Sequence, residues 1–489
     1  GKWYWEVVSS AQASAGCMVG IRASYLGTGG SLLSETDGYA YYPNGSKYSG
    51  AGGAAYGVSW TNADVIGIAL DLDAGTIAFY KNNSSQGTAF TGISGTYTPG
   101  VSNGGATSSS TFAINFGQRP FAYTPPSGFL KLNTFNLPDS TIEKGSDYFN
   151  TVLYSGNGGS QAVTGANFQP DLVWIKGRSQ VVSHGLHDVL RVIGSAEAIL
   201  SSNSTAAENT GGAYISSFDS DGFTVNANSS GNNSGSTYAA WNWKANGSGV
   251  LNEVGDIDST VSANTTSGFS IVSYTGNGVS GATIGHGLGV TPSLVIVKNR
   301  DNATTGYWYT WHESLTTNYN VILNTTNAQF NPTAGAYGGI NDPTSTTFKA
   351  VSGVTNIGGV NTNTEDYISY CFAPVEGYSA FGKYTGNGST DGPFIYTGFR
   401  PSWVMFKGAS TASTSWIMFD AVRETYNVVD QSLNPSTNAA EPYDTASDID
   451  ILSNGIKIKT GAAGWINFNT GTYIYMAFAE NPFKNANAR

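Results

Sequence analysis

The residues of this chain able to act as acids, bases or metal ligands fall in three places. His184-Gly185-Leu186-His187-Asp188 has the composition of a metal pair or of a His–Asp acid/base unit. Asp71 and Asp73 lie two apart, which puts them on one face of a strand, where together they could meet a calcium ion. Asp444, Asp448 and Asp450 form a looser acidic group with the same alternatives. A fourth stretch carries binding rather than reactive chemistry. Tyr307-Trp308-Tyr309-Thr310-Trp311 is the densest aromatic run. A strand turns alternate residues to opposite faces, so one side meets a core and the other would present flat rings to a sugar. Tyr307, Trp308, Tyr309 and Trp311 are therefore the candidate ligand-binding residues. Trp308 and Trp311 fall on opposite faces of a regular strand, so at most one of them reaches a ligand.

Internal comparison weakens the His–Asp string as a reactive site. Tyr309-Thr310-Trp311-His312-Glu313 and Trp416-Ile417-Met418-Phe419-Asp420 occupy the matching place in two further copies of a repeat. Aligned on the carboxylate, His187 corresponds to His312 and Phe419, which describes an aromatic packing position. His187→Phe is accordingly expected to leave stability nearly unchanged. Asp188 and Asp420 are each followed three residues later by arginine, Arg191 and Arg423, a spacing for a local ion pair or a turn cap. With 4 His and no Cys-x-x-Cys, zinc is not expected. Asp71 and Asp73 are expected to be turn-forming. No nucleophile elbow occurs, and Gly276-Asn277-Gly278 lacks the strand–helix context of a phosphate loop. Carboxylates that cleave glycosides pair in space, so sequence leaves that possibility open. No catalytic residue, metal or cofactor is assigned, and the chain is expected not to be an enzyme.

The elements that must hold these residues are strands. Charged residues make up 11% of the chain and aromatics 13%, with 63 Gly. An average soluble protein is about 25% charged. Tyr, Thr, Val, Ile and Trp suit pleated strands, and Gly, Asn and Ser suit turns. The net charge of −11 and the absence of any basic run argue against nucleic acid and against an anionic membrane surface. No apolar stretch approaches the ~18 residues of a membrane span. Cys17 and Cys371 fall in different expected domains and are expected to be buried free thiols.

Trp3, Trp5 and Val7 alternate with Tyr4 and Glu6, a period-two strand signal. Asp64–Asp73 and Thr76–Lys81 flank Ala74-Gly75 and read as a hairpin, with Gly75 supplying a positive φ. Gly1-Lys2-Trp3-Tyr4-Trp5-Glu6-Val7, Leu70-Asp71-Leu72-Asp73-Ala74-Gly75-Thr76, Phe79-Tyr80-Lys81-Asn82 and Tyr97-Thr98-Pro99-Gly100-Val101 resemble SPRY domains in order and spacing. The resemblance covers residues 1–138. It implies a bent antiparallel sandwich that binds ligands through loops at one rim and carries no chemistry of its own. Strands preceding Gly1 are expected to be missing.

The remainder repeats. Tyr154-Ser155-Gly156-Asn157-Gly158, Tyr274-Thr275-Gly276-Asn277-Gly278 and Tyr384-Thr385-Gly386-Asn387-Gly388 each precede a proline-led apolar strand ending in Lys176, Lys298 or Lys407. An aromatic strand closes each copy. The expected domains are 146–248, 266–376 and 380–489, self-contained and β-sandwich-like, with 249–265 a linker. The Tyr-x-Gly-Asn-Gly start, the Pro-to-Lys strand and the ending Ala477-Phe478-Ala479-Glu480-Asn481-Pro482-Phe483 resemble uncharacterised repeats of bacteriophage structural proteins.

The fold class expected is all-β: an SPRY-type antiparallel sandwich and three tandem β-sandwich-like repeats. The resemblance implies a bacteriophage virion protein, a tail fibre or tail-tip adhesin. Its partners would be other virion proteins and a host-surface receptor such as a glycan. It would be extracellular and a homo-oligomer, trimeric if a fibre, because linked copies raise avidity. A capsid decoration or filament protein and a surface depolymerase are the alternatives.

Overall fold

The computed structural model describes residues 1–11, 17–22, 38–50, 52–102, 110–136, 139–193, 196–211, 214–227, 229–304, 306–334, 338–353, 359–441, 447–461 and 465–482. Among them there is no α-helix, and the secondary structure is almost entirely strand. Contacts divide the chain into two units, Gly1–Pro138 and Asp139–Arg489.

The first unit holds β1 (Lys2–Ala11), β2 (Met18–Arg22), β3 (Gly38–Tyr41), β4 (Ser46–Ser49), β5 (Gly52–Ala55) and β6 (Val65–Asp71). It continues with β7 (Thr76–Lys81), β8 (Ser84–Thr91), β9 (Thr98–Ser102), β10 (Thr111–Asn115) and β11 (Leu130–Lys131). One sheet runs β10-β1-β6-β7-β8, with β11 parallel to β1, and a second runs β5-β4-β3-β2-β9. The period-two pattern sets the core. Trp5, Val7, Ile66, Ile68 and Phe79 of the first sheet meet Val19, Ile21 and Tyr41 of the second.

The second unit is built from three copies of one topology. Copy 1 has β12 (Phe149–Ser155), β13 (Gln161–Thr164), β14 (Leu172–Gly177), β15 (Gly185–Asp188), β16 (Val192–Ile193), β17 (Ala196–Glu197), β18 (Ile215–Asp219), β19 (Gly222–Val225) and β20 (Thr237–Trp243). Next come β21 (Val250–Asn252) and β22 (Ser259–Asn264). Copy 2 has β23 (Phe269–Thr275), β24 (Ala282–Gly285), β25 (Leu294–Asn299), β26 (Trp308–His312), β27 (Val321–Ile322), β28 (Gly339–Asn341), β29 (Thr347–Val351) and β30 (Asp366–Phe372). Copy 3 has β31 (Ser379–Thr385), β32 (Phe394–Tyr396), β33 (Phe399–Gly408), β34 (Ile417–Asp420), β35 (Ile449–Leu452), β36 (Gly455–Ile458) and β37 (Thr472–Pro482).

The large sheets run β12-β20-β14-β15, β23-β30-β25-β26 and β31-β37-β33-β34, so the closing strand always lies between the first and the Pro-to-Lys strand. Small sheets β13-β19-β18, β24-β29-β28 and β32-β36-β35 complete each copy. The outward faces of the large sheets pack on these small sheets and give each copy its own core.

The inward faces differ from the self-contained units expected from sequence. Trp174, Trp243, Phe372, Trp308, Trp403 and Phe478 belong to one core shared by all three copies. Trp243 meets Trp403 at 5.8 Å, Phe478 at 5.8 Å and Phe372 at 6.4 Å between ring centroids. Strand alternation explains this. Each Pro-to-Lys strand carries an unbroken apolar run, Leu172–Ile175, Leu294–Val297 and Trp403–Phe406, and buries both faces.

The copies close a ring. The amide of Glu208 donates to Arg300 O of copy 2 at 2.7 Å, Gln329 to Ala409 O of copy 3 at 2.8 Å, and Glu441 to Arg178 O of copy 1 at 2.8 Å. Each contact is head-to-tail, and three of them return to the start. The stretch 249–265, expected to be a linker, carries β21 and β22, which extend the copy 2 sheet beyond β23.

The repeated opening motif has a structural cause. Its tyrosine stacks on the first tyrosine of the closing strand: Tyr154 on Tyr238 at 4.9 Å, Tyr274 on Tyr367 at 5.1 Å, Tyr384 on Tyr473 at 5.0 Å. The glycine two residues on is forced by close approach. A Cβ at Gly156, Gly276 or Gly386 would stand 2.2–2.3 Å from a carbonyl oxygen.

Candidate functional site

The His–Asp string lies on β15, fully buried. His184 accepts at Nδ1 from Trp174 Nε1 at 2.9 Å and donates from Nε2 to Asn434 O of copy 3 at 3.1 Å. Burial, aided by the charge of Lys176, holds its pKa well below the usual range. His187 donates from Nδ1 to Ala198 O at 2.9 Å and accepts the Tyr214 amide at 3.4 Å. Burial, with Arg191 adding, pushes its pKa down to about 3. Both rings are neutral, with both nitrogens engaged, so neither offers a lone pair to a metal. Asp188 accepts from Arg191 Nε at 2.6 Å, from the Leu190 amide at 3.1 Å and from Tyr370 OH of copy 2 at 2.7 Å. It is both the ion pair and the turn cap that its spacing suggests.

Sheet register corrects the alignment of the copies. Leu172 faces Asp188, Leu294 faces His312 and Trp403 faces Asp420. His312 therefore matches Asp188 and Asp420, whereas His187 matches Trp311 and Phe419. The place of His184 is held by Trp308 and Trp416. These indoles likewise donate across a seam, to Ser201 O and Ile322 O, each at 2.9 Å. The neutrality expected of His187→Phe does not follow, because phenylalanine would orphan the Ala198 carbonyl and the Tyr214 amide.

The charges converge at the seams between copies, which the sequence did not reveal. At the seam of copies 1 and 2, Arg191, Asp188, Glu208 and Arg300 form a buried chain. At the seam of copies 3 and 1, Arg423, Asp420, Glu441 and Arg178 repeat it. At the third seam the matching places hold His312, Gln329 and Ala409, without charge. The three strand-ending lysines are buried as well. Burial lowers Lys176 to about 8 and Lys298 and Lys407 to about 7. Their ammonium groups donate to carbonyls, Lys176 to Gly177 O at 2.7 Å and Lys298 to Asn299 O at 2.7 Å. The ion chains join copies, and Lys298 adds a bond to Thr205 O of copy 1 at 3.2 Å.

The aromatic run does not form the expected ring platform. Trp308 and Tyr309 are each 0% exposed, Trp308 in the shared core and Tyr309 in the copy 2 core. Tyr307 and Trp311 are half-buried against the same copy 2 core. The opposite-face expectation for Trp308 and Trp311 holds, but neither face is open. Asp71 accepts from the Asp73 and Ala74 amides at 3.1 and 2.9 Å and pairs with Lys2 at 2.8 Å. The Lys2 bond comes first in holding its carboxyl below the usual range. Asp450 pairs with Lys459, and Asp444 lies outside the described residues. Among the described residues no three His, Cys, Asp or Glu converge to hold a metal. Cys17 and Cys371 are both buried and free.

A cluster of half-buried rings lies on the first unit. Tyr39 of β3 meets Phe90 of β8 at 5.0 Å and Tyr97 at 5.9 Å, and all three are half-buried. Lys47 of β4 stands 5.1 Å from the Phe90 ring and 5.8 Å from that of Tyr56. Beside them the edge strand β5, Gly-Gly-Ala-Ala, is exposed throughout. Flat rings, one cation and an unencumbered strand edge can stack on, charge-pair with and hydrogen-bond a ligand.

An SPRY domain matches residues 2–119, and a family described as "Domain of unknown function (DUF7483)" matches residues 144–482. An E3 ubiquitin-protein ligase RKP of Arabidopsis thaliana is 42% identical over 82 residues, 16% of this chain and 6% of the ligase. Ran-binding protein 9 of Danio rerio is 34% identical over 127 residues, 25% of this chain and 21% of its own length. The chain thus spans about a fifth or less of these relatives. The crystal structure of the SPRY domain of human HERC1 is 22% identical, covering 24% of this chain and 77% of that one with a TM-score of 0.22.

Proposed function

From the premise that the chain belongs to the DUF7483 family and opens with an SPRY domain, we propose that it is a non-enzymatic attachment protein. In this reading the SPRY unit recognises a surface ligand and the three-copy ring is a rigid mount. The setting is a bacteriophage tail fibre or tail tip, multimeric on the particle, with the ligand a host-surface glycan or protein. The observation that carries recognition is the half-exposed Tyr39–Phe90–Tyr97 cluster flanked by Lys47. The curated relatives support the module only. SPRY segments recur in proteins with different names, as a reusable recognition unit would. The virion setting rests on the repeat motifs.

The test joins location to binding. Antibody labelling should place the chain on the tail, and purified protein should bind host cells. Tyr97→Ala and Phe90→Ala should each reduce cell binding at least tenfold with an unchanged melting temperature of the second unit. Labelling of the capsid shell with no cell binding would replace attachment by passive decoration.

A further inference from the structure

The three seams of the ring are unequally filled. At the seam of copies 1 and 2, β22 adds to the outer edge of β23, pairing Asn264 with Phe269 and Ser259 with Tyr274. Its other edge pairs with β21, Val250 with Val261 and Asn252 with Ser259, and its side chains reach copy 1: the Asn246 amide donates to Ser262 Oγ at 2.9 Å, and Asn264 Nδ2 to Ala245 O at 3.2 Å.

Superposing the register carries this site onto the seam of copies 3 and 1. The edge strand there is β12, with Phe149 for Phe269 and Leu153 for Ser273. Copy 3 presents Ser402 for Asp171, Ala421 and Val422 for Val189 and Leu190, and Glu480 and Asn481 for Ala245 and Asn246. These same residues, with Phe149 and Asn150, line a groove of about 480 Å³.

The edge is open. Among the described residues β12 pairs only with β20. The Gly156 amide bonds to Ser236 O and the Lys244 amide to Tyr148 O, so even-numbered residues point their backbone at β20. Thr151 and Leu153 therefore turn N–H and C=O outward, as Ile271 and Ser273 do toward β22.

We propose that this groove accepts an extended peptide strand from another protein, added to β12 as β22 is added to β23. Among the described residues every strand of the second unit is already paired within its own sheets, which favours a strand from another protein as the occupant. The sequence of β22, Ser-Thr-Val-Ser-Ala-Asn, states the chemistry of the occupant. It sets two β-branched residues, Thr260 and Val261, among small ones, with main-chain bonds supplying affinity and small side chains permitting the close fit. The inference stands apart from the proposed function, since it uses no residue of the SPRY unit.

The probe is a fluorescent peptide with the sequence of residues 257–265, titrated against the full chain by anisotropy. Saturable binding is expected, weakened at least tenfold by Leu153→Pro, which removes an outward amide while leaving the β20 pairs. Val422→Asp, on the opposite wall, should weaken it equally. Ser273→Pro, at the filled seam, should not. Melting curves report folding of each variant. Absence of saturable binding, or equal binding by the folded Leu153→Pro and Val422→Asp proteins, overturns the proposal. Concentration-dependent self-association that the peptide competes away, or a tenfold gain on removing residues 484–489, assigns the groove to this chain itself and overturns it too.

Discussion

Trp308 and Trp311 sit three residues apart on one strand and differ in what they support. Trp308 fills the shared core and donates to Ser201 O of the neighbouring copy. Trp308→Ala should cost about 3–5 kcal/mol, whereas Trp311→Ala, half-buried, should cost about 1–2 kcal/mol. Urea titrations of the two variants check the ranking. The histidines set a pH dependence. An unfolded histidine takes its proton near about pH 6.5, but folded His187 and His312 do so only at about 3 and about 4. Between those values the unfolded chain holds more protons, so stability falls as pH drops from about 6.5 toward 4. Asp171, raised to about 6 by burial, opposes this between its ordinary range and 6. His312→Gln keeps a donor for Tyr475 O without the titration. Its melting temperature should fall less steeply than that of the parent between pH 6.5 and 4.5. Little of this was legible in sequence. The Asp–Arg pairs were, because three-residue spacing is local. The exact mate of His312 was not, because a one-residue offset in a hairpin leaves no trace in composition and reverses the face of every side chain.

Each copy's opening motif is locked by an asparagine that motif reading passed over. Asn232, Asn361 and Asn467 are buried, and each accepts at Oδ1 from the amide of the motif asparagine: Asn157 at 3.0 Å, Asn277 at 2.9 Å and Asn387 at 2.9 Å. Asn361 also donates to Val279 O at 2.8 Å. Asn361→Ala leaves buried partners unpaired and should destabilise by about 1–3 kcal/mol, measurable as a lowered thermal midpoint, while Asn277 variants retaining the backbone amide should cost less. A signal for the clamp exists. The three asparagines stand six residues before the first tyrosine of the closing strand, Asn232 before Tyr238, Asn361 before Tyr367, Asn467 before Tyr473. The strands themselves were readable from alternation and from proline-led apolar runs. The β21–β22 hairpin was not, because Ser, Asn and Gly between short apolar pairs have the composition of a linker.

The second unit behaves as one cooperative body rather than three beads. A copy cut at 266–376 would expose Trp308, Ile296, Tyr370 and Phe372 to water. Such an excised segment should show no cooperative melt by circular dichroism, whereas residues 139–489 should melt in a single transition. Tandem repetition was visible in the sequence, but repetition alone does not separate a string of domains from a closed ring. The inward faces decide it, and their target is another copy more than a hundred residues away.

Closure has a consequence for the order in which the protein is made. β37 is the central strand between β31 and β33, and it brings Met476 and Phe478 into the shared core. A chain leaving the ribosome therefore carries Trp174, Trp243 and Trp308 unsheltered until β37 emerges. The ring then completes in one event, once its last strand is available. A stop codon at position 471 would remove β37 and leave all three tryptophans without a lid. Its product should partition to the insoluble fraction in cells from which the complete chain is recovered soluble.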